Sequence, residues 1–262
     1  MTDVGVLAAL AASGRRIVAT TAYDFPTATL LNGTPVDFLL VGDSVAMVVY
    51  GHPSTRAATL EVMVAHTAAV RRGAPDLLIV ADLPYPAMVA DEDTAAAAGR
   101  ALLDAGADAV KVEALEGHGT VVRALTALGI PVMGHVGLLP QTITEAGAFR
   151  VRGRGTEAGA VREAARTFQE EGAFAVVLEC VPAELGREVT EALQVPTIGI
   201  GAGPHTDGQI LVIHDLAGLS PEPHPRFVRV FGEAGRTLAE AVERFAAAVR
   251  DGDFPMDEES YR

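Results

Sequence analysis

Apolar residues fall into two patterns that alternate along the chain. One is a short, nearly continuous run: Ile17 to Asp24, Val36 to Ser44, Leu77 to Asp82, Asp108 to Glu113, Pro131 to His135, Phe174 to Glu179, Pro196 to Gly201 and Ile210 to His214. Runs without polar alternation predict parallel strands covered by helices on both faces. The other pattern has helical spacing. It predicts a helix or leader over 3–13, a short helix from Pro26 closed by Asn32-Gly33, and helices at about 60–72, 93–105, 118–128, 156–171, 183–193 and 235–250. Eight strands alternating with helices predict a single α/β domain over 1–262, a closed (β/α)8 TIM barrel with a short N-terminal helix and a C-terminal helical extension. The tail, about 251–262, reads as flexible or engaged in a subunit contact. A doubly wound open sheet is the competing fold. Polar residues at most strand ends favour the barrel, because an open sheet uses mainly the ends beside its switch point.

Composition narrows this only a little. The 262 residues are 49% hydrophobic with a mean hydropathy of +0.28, enough for one sizeable core. No linker divides the chain. There is no apolar run of membrane-spanning length and no basic region leading into an apolar stretch, so a soluble, cytoplasmic protein is expected. Cys180 is the only cysteine, which excludes an internal disulfide. A formal charge of −14 argues against nucleic acid or an anionic membrane as partner, and the basic cluster Arg150 to Arg154 is too small to reverse it. Lys111 is the only lysine among twenty cationic residues. Its compact ammonium differs from guanidinium in hydration and in how readily its pKa moves, so a dedicated role at this position is favoured over chance.

Five of the runs would each deliver a titratable group to one rim: Asp43, Asp82, Glu113, His135 and Glu179. Asp43, Asp82 and Glu113 would converge on one mouth, where three carboxylates need a cation or shared protons. A hard divalent ion such as Mg²⁺ suits oxygen ligands. A tetrahedral zinc site does not, since no pair of histidines has zinc spacing and Cys180 lacks thiolate partners. The competing role for these acids is pairing with rim arginines. Lys111 and His135 would flank the metal and donate to a substrate oxygen or carboxylate, with a satisfied core histidine as the competing role for His135. Glu179, between Leu178 and Cys180, would be desolvated toward the range of a general base, unless Arg150, Arg152 or Arg154 pairs with it. Cys180 reads as core packing. Gly199-Ile-Gly201-Ala-Gly203 is a weak phosphate-loop signal that tight strand exit explains equally well. Tyr23, Asp24, His214 and Asp215 stand near strand ends without an assignable role, and His66 reads as structural or functional with equal weight. Together these parts suggest proton abstraction beside a carbonyl, with a 2-oxo acid well suited to chelate Mg²⁺.

Beyond these parts, the chain resembles the ketopantoate hydroxymethyltransferase family along nearly its whole length. The matching blocks are Thr21-Ala-Tyr23-Asp24, Val41-Gly42-Asp43-Ser44, His66 to Gly73, Ala81-Asp82-Leu-Pro84, Val110-Lys111-Val-Glu113, Gly134-His135 to Gln141, Leu178-Glu179-Cys180-Val-Pro182, and Ile198 to Gly203 with Thr206-Asp207-Gly208-Gln209. The resemblance implies transfer of a hydroxymethyl group from the cosubstrate 5,10-methylenetetrahydrofolate to 3-methyl-2-oxobutanoate. The product is 2-dehydropantoate, on the route to pantothenate and coenzyme A, and the enolate is Mg²⁺-stabilised. It implies Asp43, Asp82 and Glu113 as the metal set, Glu179 as proton acceptor, and Asp43, Ser44, Asp82, Lys111 and His135 as the oxo-acid site. It also implies a homo-oligomer, a decamer. Departures are local: Tyr85-Pro86-Ala87-Met88 replaces a Phe-Gly-Ser-Tyr-like turn, and Phe149-Arg150-Val151-Arg152-Gly153 replaces an aromatic-Lys-Val-Gln-Gly. Three rivals stay open: a lyase of the phosphoenolpyruvate mutase and isocitrate lyase type, a Schiff-base aldolase using Lys111, and a non-catalytic metabolite-binding barrel.

Overall fold

The eight apolar runs become eight strands: β1 (Ile17–Thr21), β2 (Phe38–Val41), β3 (Leu78–Asp82), β4 (Ala109–Glu113), β5 (Val132–Gly137), β6 (Ala175–Glu179), β7 (Thr197–Ile200) and β8 (Gly208–Leu211). In this computed structural model, which describes residues 3–143 and 150–261, they pair in sequence order, all parallel. Strand β8 returns to β1 through Ile17↔Gly208 and its neighbours, so the sheet closes into a TIM barrel. Phe149, in the long segment between Gly137 and Gly155, lies outside the described residues.

The helices are α1 (Gly5–Ala12), α2 (Phe25–Leu31), α3 (Val45–Val48), α4 (Leu60–Gly73), α5 (Tyr85–Met88), α6 (Glu92–Asp104), α7 (His118–Ala127), α8 (Glu157–Glu170), α9 (Ala183–Ala192), α10 (Ile213–Ala217) and α11 (Ala234–Asp251). Side chains of Asp24, Thr59 and Asp91 start α2, α4 and α6 by accepting from the backbone N–H groups of Thr27, Val62 and Thr94. Helices α3 and α5 are single turns in stretches that read as connections.

Strand periodicity fixes what the barrel encloses. Leu78 and Val80, Ala109, Met133, and Ala175 and Val177 belong to one buried cluster, joined by Phe38, Leu40, Ile198 and by Leu7 of α1. Side chains two positions further along a strand share its face. That rule carries Asp82, Lys111, Glu113, His135 and Glu179 to the same interior side, one layer nearer the carboxyl ends.

Several boundaries differ from expectation, those of the eighth and first strands among them. The eighth strand spans Gly208–Leu211, not 210–214, and His214 and Asp215 lie in α10. It opens on glycine because a Cβ at Gly208 would stand 2.6 Å from Ile17 Cβ, so its start carries no apolar signal. The first strand ends at Thr21, and Asp24 is spent on capping α2.

The chain sorts into two compact units, Met1–Val212 with the barrel and Ile213–Arg262 with α10 and α11. In the second unit Leu238, Val242 and Phe245 of α11 recur at helical spacing and are exposed, and Phe245 meets Phe254 edge to face. Among the described residues no helix is long and apolar enough to cross a membrane.

Candidate active site

The interior groups at the ends of β3 to β6 meet at the carboxyl-terminal mouth. Asp43 follows β2, and its backbone N–H donates to Asp82 Oδ2 at 2.9 Å, which seats the two acids together. Lys111 Nζ is 2.8 Å from Asp82 Oδ1 and 3.3 Å from His135 Nδ1. On the far side of the ring, His135 Nε2 is 3.1 Å from Glu179 Oε2. Glu113 Oε1 is 3.7 Å from His135 Nδ1, beyond hydrogen-bond reach. Ser44 Oγ pairs with Tyr23 OH at 2.8 Å. Asp43, Asp82, Lys111, Glu113 and His135 are each at most 6% exposed, so their charges act on one another with little screening.

The shifts follow from that crowding. Burial, then the charge of Asp82, pushes Asp43 up to about 7. Burial and the charge of Asp43 push Glu113 well above the usual carboxylate range. Burial alone would lower Lys111, but the charges of Asp82, Glu113 and Asp43 outweigh it, and its pKa is raised. Lys111 is therefore an ammonium and can only donate. His135, whose pKa burial and Lys111 hold well below the ordinary value, is neutral, so Nδ1 accepts and the ring proton sits on Nε2. That N–H is buried with no aligned hydrogen-bond partner in the site, a donor available to a substrate oxygen. Burial raises Glu179 to about 7, with Lys111 pulling the other way.

These residues fit a hard divalent cation. The carboxylates outnumber the one ammonium among them, two of them are destabilised as anions, and Glu113 Oε1 is buried without a hydrogen bond. Among the described residues no three His, Cys, Asp or Glu side chains form a ready cage for an ion. Mg²⁺ usually takes one or two protein carboxylates and keeps several waters, which such an open set of acids allows.

Gln141 is the residue that strand-end reasoning did not single out. It is 1% exposed; its Nε2 donates to Asp43 Oδ2 at 2.9 Å and to Leu83 O at 3.0 Å, and its backbone N–H donates to Glu113 Oε2 at 3.1 Å. It spans two of the acids from a 3-10 turn after β5. A neutral side chain beyond a strand end gave no signal apart from its place in the Gly134 to Gln141 block.

Other candidates resolve structurally. Arg150 and Arg152 pair with Glu157, not with Glu179. The His66 ring bonds the Tyr23 carbonyl and Tyr50 OH. Cys180 is raised to about 12 by burial and then by Glu179, the opposite of an activated thiolate. Gly203 has φ +80°, and a Cβ there would meet Ala183 Cβ at 2.4 Å, so close packing at the strand exit accounts for it.

A parallel barrel that buries acids, an ammonium and a neutral imidazole at its carboxyl-terminal mouth has the form of a TIM-barrel enzyme. The fold is shared with phosphonopyruvate hydrolase, solved with oxalate and Mg²⁺ (TM-score 0.66, 16% identity, 99% of this chain and 93% of that chain). It is also shared with 2,3-dimethylmalate lyase, a phosphoenolpyruvate mutase/isocitrate lyase superfamily member (TM-score 0.64, 18% identity, 100% and 93%). The family model for ketopantoate hydroxymethyltransferase matches residues 2–257. Proteins named 3-methyl-2-oxobutanoate hydroxymethyltransferase are 52% identical over 251 residues in Thermus thermophilus (95% of this chain, 96% of the relative) and 49% identical over 249 in Pyrobaculum calidifontis (95% and 94%). The chain belongs to the ketopantoate hydroxymethyltransferase family.

Proposed function

We propose that this barrel transfers a one-carbon unit from 5,10-methylenetetrahydrofolate to 3-methyl-2-oxobutanoate, giving 2-dehydropantoate, with Glu179 as the base. The observation that carries this is the contact chain Asp43, Asp82, Lys111, His135, Glu179. It sets a carboxyl of raised pKa at one end of a buried polar site and a pair of acids at the other. Family membership supplies the substrate.

Asp43 and Asp82, with Glu113, would hold Mg²⁺, which when bound polarises the keto oxygen of a 2-oxo acid and acidifies the adjacent carbon. Lys111 Nζ and His135 Nε2–H donate to the oxygens of the oxo acid, and Ser44 adds a hydroxyl positioned by Tyr23. Glu179 takes the proton from C3. The enolate carbon then forms a C–C bond to the one-carbon unit as its bonds to the folate nitrogens break. One water supplies the hydroxyl oxygen, and its two protons together with the one from C3 end as the product hydroxyl proton and the two N–H protons of the released tetrahydrofolate. Lys111 serves as an ammonium, because the surrounding acids raise its pKa; a Schiff-base nucleophile would need the neutral amine.

The test is NMR-detected exchange of the C3 proton of 3-methyl-2-oxobutanoate in D₂O without folate, with and without Mg²⁺. Mg²⁺-dependent exchange that Glu179→Gln slows by about 10² or more is expected. Exchange at the same rate in Glu179→Gln would remove Glu179 as base. None in the wild type with Mg²⁺, either alone or with tetrahydrofolate added, would overturn the reaction.

A further inference from the structure

Asp43, Asp82 and Glu113 are held in the same way. Each has one carboxylate oxygen fixed by an N–H donor: Asp82 Oδ2 by the backbone of Asp43 at 2.9 Å, Asp43 Oδ2 by Gln141 Nε2 at 2.9 Å, and Glu113 Oε2 by the backbone of Gln141 at 3.1 Å. Two of the three donors come from one residue. Pro140 starts the 3-10 turn that carries Gln141, and an N–H at the start of such a turn has no acceptor within it, so this one reaches Glu113 instead. The side chain has only one satisfactory orientation. Its amide gives one hydrogen to Asp43 Oδ2 and one to Leu83 O, and turning it over would set Oε1 against two acceptors. Oε1 is left buried without a hydrogen bond, as is Glu113 Oε1, while Asp82 Oδ1 lies beside Lys111 Nζ.

We propose that Gln141 sets which divalent cation the acids accept. By occupying Asp43 Oδ2 and Glu113 Oε2 with N–H donors, it leaves each of those acids a single oxygen to offer and holds that oxygen in place. Mg²⁺ demands a near-ideal octahedron and keeps several waters, whereas Ca²⁺ takes about 6 to 8 oxygens, with carboxylates often giving both of theirs. Acids restricted to one oxygen suit the smaller ion and deny the larger one its extra ligands. Gln141 Oε1 adds an acceptor for a water that Mg²⁺ retains. Gln141 acts through Asp43 and Glu113, so it is a positioning residue. This rests on the Mg²⁺ reading above and adds what makes the site prefer that ion.

The test is thermal unfolding of the full chain, without folate or oxo acid, titrated with MgCl₂ or CaCl₂ at constant ionic strength. The rise in Tm gives an apparent affinity for each ion. Wild type should hold Mg²⁺ more tightly than Ca²⁺. Gln141→Met keeps the length and loses the amide; it should weaken Mg²⁺ by about tenfold or more and Ca²⁺ by less, so that the preference narrows. Gln141 also lines a cavity of about 820 Å³, from which water can reach Asp43 once the side chain is shortened. Gln141→Asn should therefore fold even where the Met variant does not, and still narrow the preference, because a mobile water does not hold the carboxylate. Equal losses for both ions would reduce Gln141 to a structural role and overturn the proposal. Wild-type protein that Ca²⁺ stabilises as much as Mg²⁺ does would overturn it too, and no rise with either ion would overturn the Mg²⁺ reading beneath it and this proposal with it.

Discussion

At the scale of single residues, the site is governed by how many charges are buried together. Glu179 has one clear consequence. Burial raises its carboxyl to about 7, and in the proposed role as base it must be unprotonated to accept the C3 proton. Exchange should therefore rise with pH, falling about tenfold per unit below pH 7 and reaching a plateau above it. Lys111 adds no falling limb near neutrality, because its neighbouring acids hold the ammonium. A rate that is flat from pH 5 to 8 would count against Glu179. His135 shows the same economy: Lys111 determines which ring nitrogen accepts, and so which one can donate to substrate. Asp43, Asp82, Lys111, Glu113, His135 and Glu179 were all legible as polar ends of apolar runs. Gln141 was not, because its partner Asp43 is 98 positions away and nothing local reports that distance.

At the scale of elements, the strand period of two turned a list of polar residues into one constellation. The same regularity makes the barrel wall intolerant of extra volume where a helix presses on it. Gly134 of β5 faces Phe168 of α8, and a Cβ there would stand 2.4 Å from the ring's Cγ. Gly134→Ala should cost about 1 to 3 kcal/mol by overpacking. Adding Phe168→Leu should recover part of that loss. A thermal melt of the single variant at the wild-type Tm would show that α8 shifts freely. The element boundaries that sequence misplaced are those where glycine starts a strand, as at Gly208, or where one helical turn such as α5 is too short to show a period.

At the scale of the whole molecule, function is bought with stability. Asp43 keeps its proton up to about 7 in the folded chain, against an ordinary carboxyl near 3.8. Between those values the folded state holds more protons than the unfolded one, so this group makes stability fall as pH rises from about 4 through 7. A divalent ion held by the ionised acids, as proposed above, would offset the loss. The rise in Tm on adding Mg²⁺ should be larger at pH 8 than at pH 5, and Asp43→Asn should shrink it; equal rises at both pH values would argue against the ion. Sequence by itself determined the eight-strand alternation and the chemistry of the strand ends, because continuous apolar runs and the choice of a lone lysine are local facts. Only the tertiary structure decided which charges touch, which histidine nitrogen carries the proton, and that Gln141 ties the acids to a second cavity. Those are contacts across the barrel mouth, and closing the sheet is what brings residues far apart in the chain within hydrogen-bond distance.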